Sequence, residues 1–125
     1  MLPMNSRHAT LDKPQRLARN QEKVTATLHG GRVTPGSGAG SGVKNDVTNT
    51  EWSFEVKSTS QKGYRVTLDN WMTIEHNALV EGKRPALVIS FMTASGRPKR
   101  LIVLDENDFI EKATGYGLAT EKGST

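Results

Sequence analysis

The residues of this chain best placed to do chemistry are two acids and a lysine. From Glu51 to Lys57 the sequence reads Glu-Trp-Ser-Phe-Glu-Val-Lys, so Trp52, Phe54 and Val56 alternate with polar or charged side chains. That is the period of a strand with one buried and one wet face, and it sets Glu55 and Lys57 side by side, about 6.5 Å apart. Asp46 stands nine positions before Glu55, and Asn49-Thr50 between them suits a tight turn, so a hairpin would lay Asp46 beside Glu55. The two carboxylates and the carbonyl of Val56 offer the oxygen ligands that a hard cation such as Mg²⁺ takes, and Mn²⁺ can substitute for it. Lys57 beside them would assist an attacking water and stabilise charge on a scissile phosphate. The expected chemistry is metal-dependent phosphodiester hydrolysis. Glu-x-Lys alone is more often a solvated pair on a strand. The preceding Asp46, the glycine-rich loop and a basic helix carrying an acid shift the balance toward a metal site.

The charge pattern fits a polyanionic substrate. The net charge is +4, and residues 1–45 carry seven Lys or Arg against two acids whereas residues 46–125 carry ten against eleven. A basic face beside a carboxylate cluster attracts a nucleic acid that the acids alone would repel. Arg16, Arg19, Lys23, Arg32 and Lys44 are the candidate DNA contacts in that first third, with Lys62, close to Tyr64 and Arg65, as a further one. A solvated, soluble surface explains the charge alone equally well. The chain has 125 residues and no cysteine, which points to one domain and excludes disulfides, thiolate zinc sites and a cysteine nucleophile. Neither end carries a signal pattern, and no apolar run approaches the roughly 20 residues that span a bilayer, so a cytoplasmic protein without a membrane partner is expected.

The elements that must position these residues come in a definite order. Residues 1–11 lack periodicity and read as a flexible arm, leaving residues 12–114 as the domain and 115–125 as a flexible tail. A first helix runs from an Asp12 cap to about His29 and stops at Gly30-Gly31, with Leu17, Val24 and Leu28 as its apolar stripe and His29 at its C-terminus, where a partial positive charge is welcome. Arg32 to Thr34 is a short strand. A loop of Pro-Gly-Ser-Gly-Ala-Gly-Ser-Gly comes next, in which Ser37 and Gly38 could approach a DNA backbone, a plain linker being the alternative. After the hairpin, Tyr64 to Thr67 alternates as a further strand. A second helix spans about Asp69 to Glu81 with Trp71, Ile74 and Ala78 inward. Ala86 to Phe91 is a central strand covered on both faces, Arg100 to Leu104 returns beside it, and a short helix holds Phe109 and Ile110. The order predicts an α/β or α+β domain, a mixed sheet flanked by helices.

Gln21-Glu22-Lys23, Gly30-Gly31, Pro35-Gly36-Ser37-Gly38-Ala39, Asn45-Asp46-Val47 and Phe54-Glu55-Val56-Lys57-Ser58 occur in an order that resembles archaeal-type Holliday junction resolvases, within the PD-(D/E)XK nuclease superfamily. The resemblance runs from about Pro14 to Phe91. It implies a restriction-endonuclease-like sheet, metal binding by Asp46 and Glu55, assistance to the attacking water by Lys57, approach of Ser37 to the backbone, and a homodimer cutting four-way DNA twice. It also implies an acid on the first helix. Counting back from Gly30-Gly31 selects Glu22, while counting along the apolar stripe selects Gln21, which as an amide would depart from the family. Asn45 stands where the motif's proline would be. The rival functions are a structure-selective nicking or repair nuclease and a catalytically silent DNA-binding module.

Overall fold

The computed structural model describes residues 13–35 and 44–115. Within them the chain forms α1 (Lys13–Leu28), β1 (Arg32–Val33), β2 (Val47–Thr48), β3 (Trp52–Thr59), α2 (Leu68–Val80), β4 (Arg84–Met92), β5 (Pro98–Leu104) and α3 (Glu106–Thr114). The strands make one sheet in the order β1-β2-β3-β4-β5. β3 and β4 run parallel, joined through α2, and the other neighbours are antiparallel. This is the expected α/β domain with a mixed sheet.

β4 explains why the sheet needs helices on both faces. Its apolar residues succeed one another without polar alternation and are buried from Pro85 to Ser90, so each pleat direction must find its own cover. Ala86 and Val88 join Phe54, Val56, Val47 and Ala26 of α1 in one cluster, while Leu87 and Ile89 join Ile74 of α2 in another. Trp52 packs partly buried against the first cluster and Trp71 against the second. The register sets Glu55 opposite Leu87 and Lys57 opposite Ile89, so the acid and the lysine lie on the α2 side of the sheet while Phe54 and Val56 face α1.

Three expectations change. The inward face of α1 is polar, with Gln21, Thr25 and Ala26 buried and Leu28 66% exposed. Arg100 of β5 reaches across, its guanidinium donating to Gln21 Oε1 and Thr25 Oγ1, so these side chains are satisfied inside. Tyr64 to Thr67 is not a strand. Thr67 instead caps α2, its Oγ1 accepting from the Asn70 amide at 3.1 Å, and α2 therefore starts at Leu68. α3 buries no residue, and Phe109 is 59% exposed. It is held by charge: Arg84 pairs with Glu51, Asp108 and Glu111, and Lys112 pairs with Glu51. The proposed arm and most of the tail, with the Asp12 cap, lie outside the described residues.

Gly30 and Gly31 end α1 for two different reasons. Gly30 has φ +62°, the left-handed conformation in which a Cβ is penalised. A Cβ on Gly31 would stand 2.3 Å from the Thr48 carbonyl oxygen, so only glycine lets the chain pass this close to β2. Asn49 fastens the same corner, its Nδ2 donating to the His29 carbonyl and its Oδ1 accepting from the Glu51 and Trp52 amides. Gly31→Ala should therefore displace β1 from β2 and lower stability by about 1–3 kcal/mol, measured by urea denaturation. An unchanged midpoint would show that the corner yields freely.

Candidate active site

The site is built where β2 parts from β3. On β3, β2 pairs with Ser53 and Phe54 alone, so among the described residues no strand lies beside the β2-facing edge of β3 from Glu55 onward. Asp46, just before β2, fills the first gap. Its Oδ2 accepts the Val56 amide at 2.9 Å, taking the place that a ladder carbonyl would hold if β2 continued. The Asp46 backbone is clamped as well, its N–H donating to the Phe54 carbonyl and its own carbonyl accepting from Thr34, both at 2.8 Å. Asp46 thus sits beside Glu55, as the hairpin spacing predicts. Glu55 in turn pairs with Lys57, Oε2 to Nζ 3.1 Å. The carbonyl of Val56 points to the same open edge as its amide, since both groups of a strand residue project to one side.

A second layer, which sequence reasoning missed, holds Asp46 from beneath. Asn45 is 1% exposed; its Nδ2 donates to Ser53 Oγ at 3.0 Å and to the Ile74 carbonyl at 3.1 Å, and its Oδ1 accepts from Asn77 at 3.3 Å. The available signal was Asn77 itself, an amide on the stripe of Ile74 and Ala78, because a polar group there needs a buried partner. The cleft above is lined by Lys44, Asp46, Glu55, Lys57, Tyr64 and Asn70, among others, with a volume of about 290 Å³.

Electrostatics draws Glu22 of α1 into the same group. Burial first, then the charge of Asp46, pushes its carboxyl up to about 7, Arg19 opposes the shift, and Glu55 and Lys57 are also felt. Burial raises Asp46, although the Val56 amide and Lys57 work against the rise. Burial and then Asp46 raise Glu55. Burial disfavours the Lys57 ammonium, but Glu55 outweighs it and the pKa lies above the usual lysine value. Gln21 is elsewhere: 2% exposed, it accepts from Ser90 Oγ at 2.9 Å and from Arg100. Of the two candidate helix residues, Glu22 is the one within electrostatic reach of the acids.

The other candidates are spread out. Lys44 lines the cleft, while Arg19 lies within electrostatic reach of Glu22. Arg32 lines a separate groove with Lys83, and Arg16 lines a third cavity at the start of α1. Lys23 and Lys62 are exposed, on α1 and after β3. Ser37 and Gly38 lie outside the described residues. His29 differs from expectation: burial, then Arg100, push its pKa down, and its ring packs against Phe54 with centroids 4.6 Å apart. Among the described residues no three carboxylate, imidazole or thiolate side chains form a ready metal cage. Asp46, Glu55 and the Val56 carbonyl are the oxygens available to a cation that keeps several waters. No helix among the described residues is long and apolar enough to cross a membrane. No protein-family model matches the chain, and a search of curated proteins finds no match.

Glu22 supplies a test of this crowding. Its folded pKa lies above the ordinary 4.5, so the folded state holds its proton longer than the unfolded chain does. Ionisation therefore costs stability as pH rises from about 4.5 through about 7, and costs nothing below. Glu22→Gln should match the parent's Tm at pH 4 and exceed it by a few degrees at pH 8 in metal-free buffer. Equal melting at both pH values would place Glu22 away from the acids.

Proposed function

We propose that this protein is a divalent-metal-dependent DNA endonuclease that hydrolyses phosphodiester bonds, with four-way or otherwise branched DNA as its substrate. The observation that carries the proposal is the meeting of Asp46, Glu55 and Lys57 at the parting of β2 and β3, with Asp46 Oδ2 on the Val56 amide and Lys57 on Glu55. This is the arrangement expected of a PD-(D/E)XK nuclease. The donor set fits Mg²⁺ or Mn²⁺: it is all oxygen, burial raises both carboxylates, and the charge of Asp46 raises Glu55 further, so a cation there would stabilise both charged forms. Asp46, Glu55 and the Val56 carbonyl would hold it.

What such a cation supplies is Lewis-acid stabilisation of the charge that builds on the scissile phosphate. The protein's own groups do the rest. Lys57, half exposed and paired on one side only by Glu55, can donate to a phosphate oxygen and orient the attacking water. Glu22, with its carboxyl near 7, is poised to take a proton at neutral pH, where a general base works best. Arg19 and Lys44 flank the acids and offset their repulsion of DNA. The junction preference and a homodimer rest on the resemblance: paired cuts need two sites. Leu68, Met72, Leu79 and Val80 of α2 are exposed, apolar surface that a second copy could cover.

Incubation of labelled linear, nicked and four-way DNA with Mg²⁺, Mn²⁺ or chelator tests the proposal. Cleavage should need metal, give paired incisions in the junction, and fall by ~100-fold or more in Asp46→Asn and Glu55→Gln, while both variants still bind DNA. Substantial cleavage by either variant would remove the metal-site assignment. A monomer that cuts linear and junction DNA equally would leave a general nuclease in place of a resolvase. DNA binding without cleavage by the parent would favour the silent binding module.

A further inference from the structure

The cavity lined by Arg16, of about 760 Å³, opens between the first turns of α1 and the end of β3. Its size is that of a site for a small organic ligand. Three features of its wall limit what it can hold. Lys13 and Arg16 contribute two cations, and among the described residues no carboxylate lines the cavity. Leu17 and Met92 supply an apolar surface between them, each partly buried. Asn20 and Gln61 stand at the rim with amides that both donate and accept. Behind them the Ser58 hydroxyl is buried and has no hydrogen-bond partner among the described residues, an unfavourable state unless something else bonds it.

An anionic group, a flat apolar body and a polar edge together describe a nucleotide. The position agrees. Ser58 comes directly after Lys57 and lies about 10 Å along β3 from Glu55. Its side chain faces α1 while Glu55 and Lys57 face α2, and the β3 edge that lacks a β2 partner after Phe54 connects the two sides. A DNA strand crossing that edge would have a phosphate at the carboxylates and a nearby nucleotide at the cavity.

We propose that this cavity receives one unpaired nucleotide of the DNA substrate, the base against Leu17 and Met92 and the phosphate toward Lys13 and Arg16. DNA as the ligand rests on the endonuclease reading above. The proposal makes an extrahelical nucleotide, which branch points and bulges present and paired duplex does not, a feature that the protein recognises directly. Packing of a base face on aliphatic side chains is non-directional and indifferent to base identity, so any base should serve.

The test compares three DNAs by fluorescence anisotropy in chelator: a paired duplex, the same duplex with one unpaired 2-aminopurine, and the same bulge with an abasic residue. The protein should bind the base-containing bulge roughly tenfold more tightly than the paired duplex, the scale of covering one base face with apolar side chains, and the 2-aminopurine emission should change on binding. The abasic bulge should lose that gain, which separates base capture from a liking for bent DNA. Leu17→Ala/Met92→Ala trims the two partly buried side chains on which the base would pack and should bring the bulge back to the affinity of the paired duplex, with paired-duplex binding and cooperative melting kept. Equal affinity for paired and bulged DNA, or a preference kept by the abasic bulge or by the folded double variant, overturns the nucleotide site. A base-dependent preference with no cleavage of any DNA in Mg²⁺ or Mn²⁺ supports the cavity and rejects the endonuclease; cleavage with no preference does the reverse. Failure to bind any of the three DNAs overturns both.

Discussion

The bond from the Val56 amide to the Asp46 carboxylate is the constraint on which the candidate site depends. Wherever two strands part, one of them is left with amides that must find other acceptors. Here β2 ends its pairing after two residues, and the nearest acceptor is a side chain, Asp46 Oδ2 at 2.9 Å. A carboxylate accepting an amide is a charge-assisted bond, stronger than the backbone bond it replaces. It also leaves the second carboxylate oxygen directed away from the ladder. The same residue therefore closes the strand and supplies an anion at the open edge. Glu55 is fixed beside it by the register alone, because β4 holds the other edge of β3 along its whole length.

Anions are thereby crowded at one edge, and the rest of the cleft has to manage their repulsion. Glu22, Asp46 and Glu55 are all raised, with burial as the leading cause in each case. A fold selected only for stability would not gather three partly buried acids around one lysine. Lys57 neutralises one of them at 3.1 Å, Arg19 moderates Glu22, and Lys44 stands at the mouth of the cleft. The Asn45, Ser53 and Asn77 network beneath carries no charge, so it fixes the position of Asp46 without compensating it. The remaining imbalance is what a cation would remove, and perturbed carboxylates clustered in a cleft are the usual signature of a working site.

The parts legible in the sequence were those governed by short range. The strand period of Trp52 to Lys57, the buried run of β4 and the Asp46 to Glu55 hairpin depend on neighbours a few residues apart, and a pattern of period two exposes them. Legibility failed where distant partners decide. Gln21 and Thr25 sit at helical spacing but read as polar, and distant partners make them an inward face: Arg100, 79 and 75 residues on, and Ser90, 69 residues beyond Gln21. Tyr64 to Thr67 has a strand's alternation, but among the described residues it pairs with no strand, and Thr67 at its end caps α2 instead. The ambiguity between Gln21 and Glu22 had the same origin. An apolar stripe counted through Leu28 assumes that Leu28 is inside, and it is not.

That ambiguity also explains how one helix serves two masters. α1 turns about 100° per residue, so adjacent Gln21 and Glu22 face different environments: the first meets Ser90 and Arg100 within the protein, the second meets the acids at its edge. Arg100 is partly buried, its pKa is lowered by that burial, and the acceptors that α1 offers it are a neutral amide and a hydroxyl. A carboxylate at position 21 would neutralise Arg100 better, yet it would add a fourth anion one residue from Glu22 and raise the cost of every acid in the cleft. An amide there keeps the helix anchored to β4 and β5 by hydrogen bonds while leaving the negative potential concentrated at Asp46, Glu55 and Glu22. The polar inner face of α1, which looks like a weakness in the core, is what allows its next residue to be an acid.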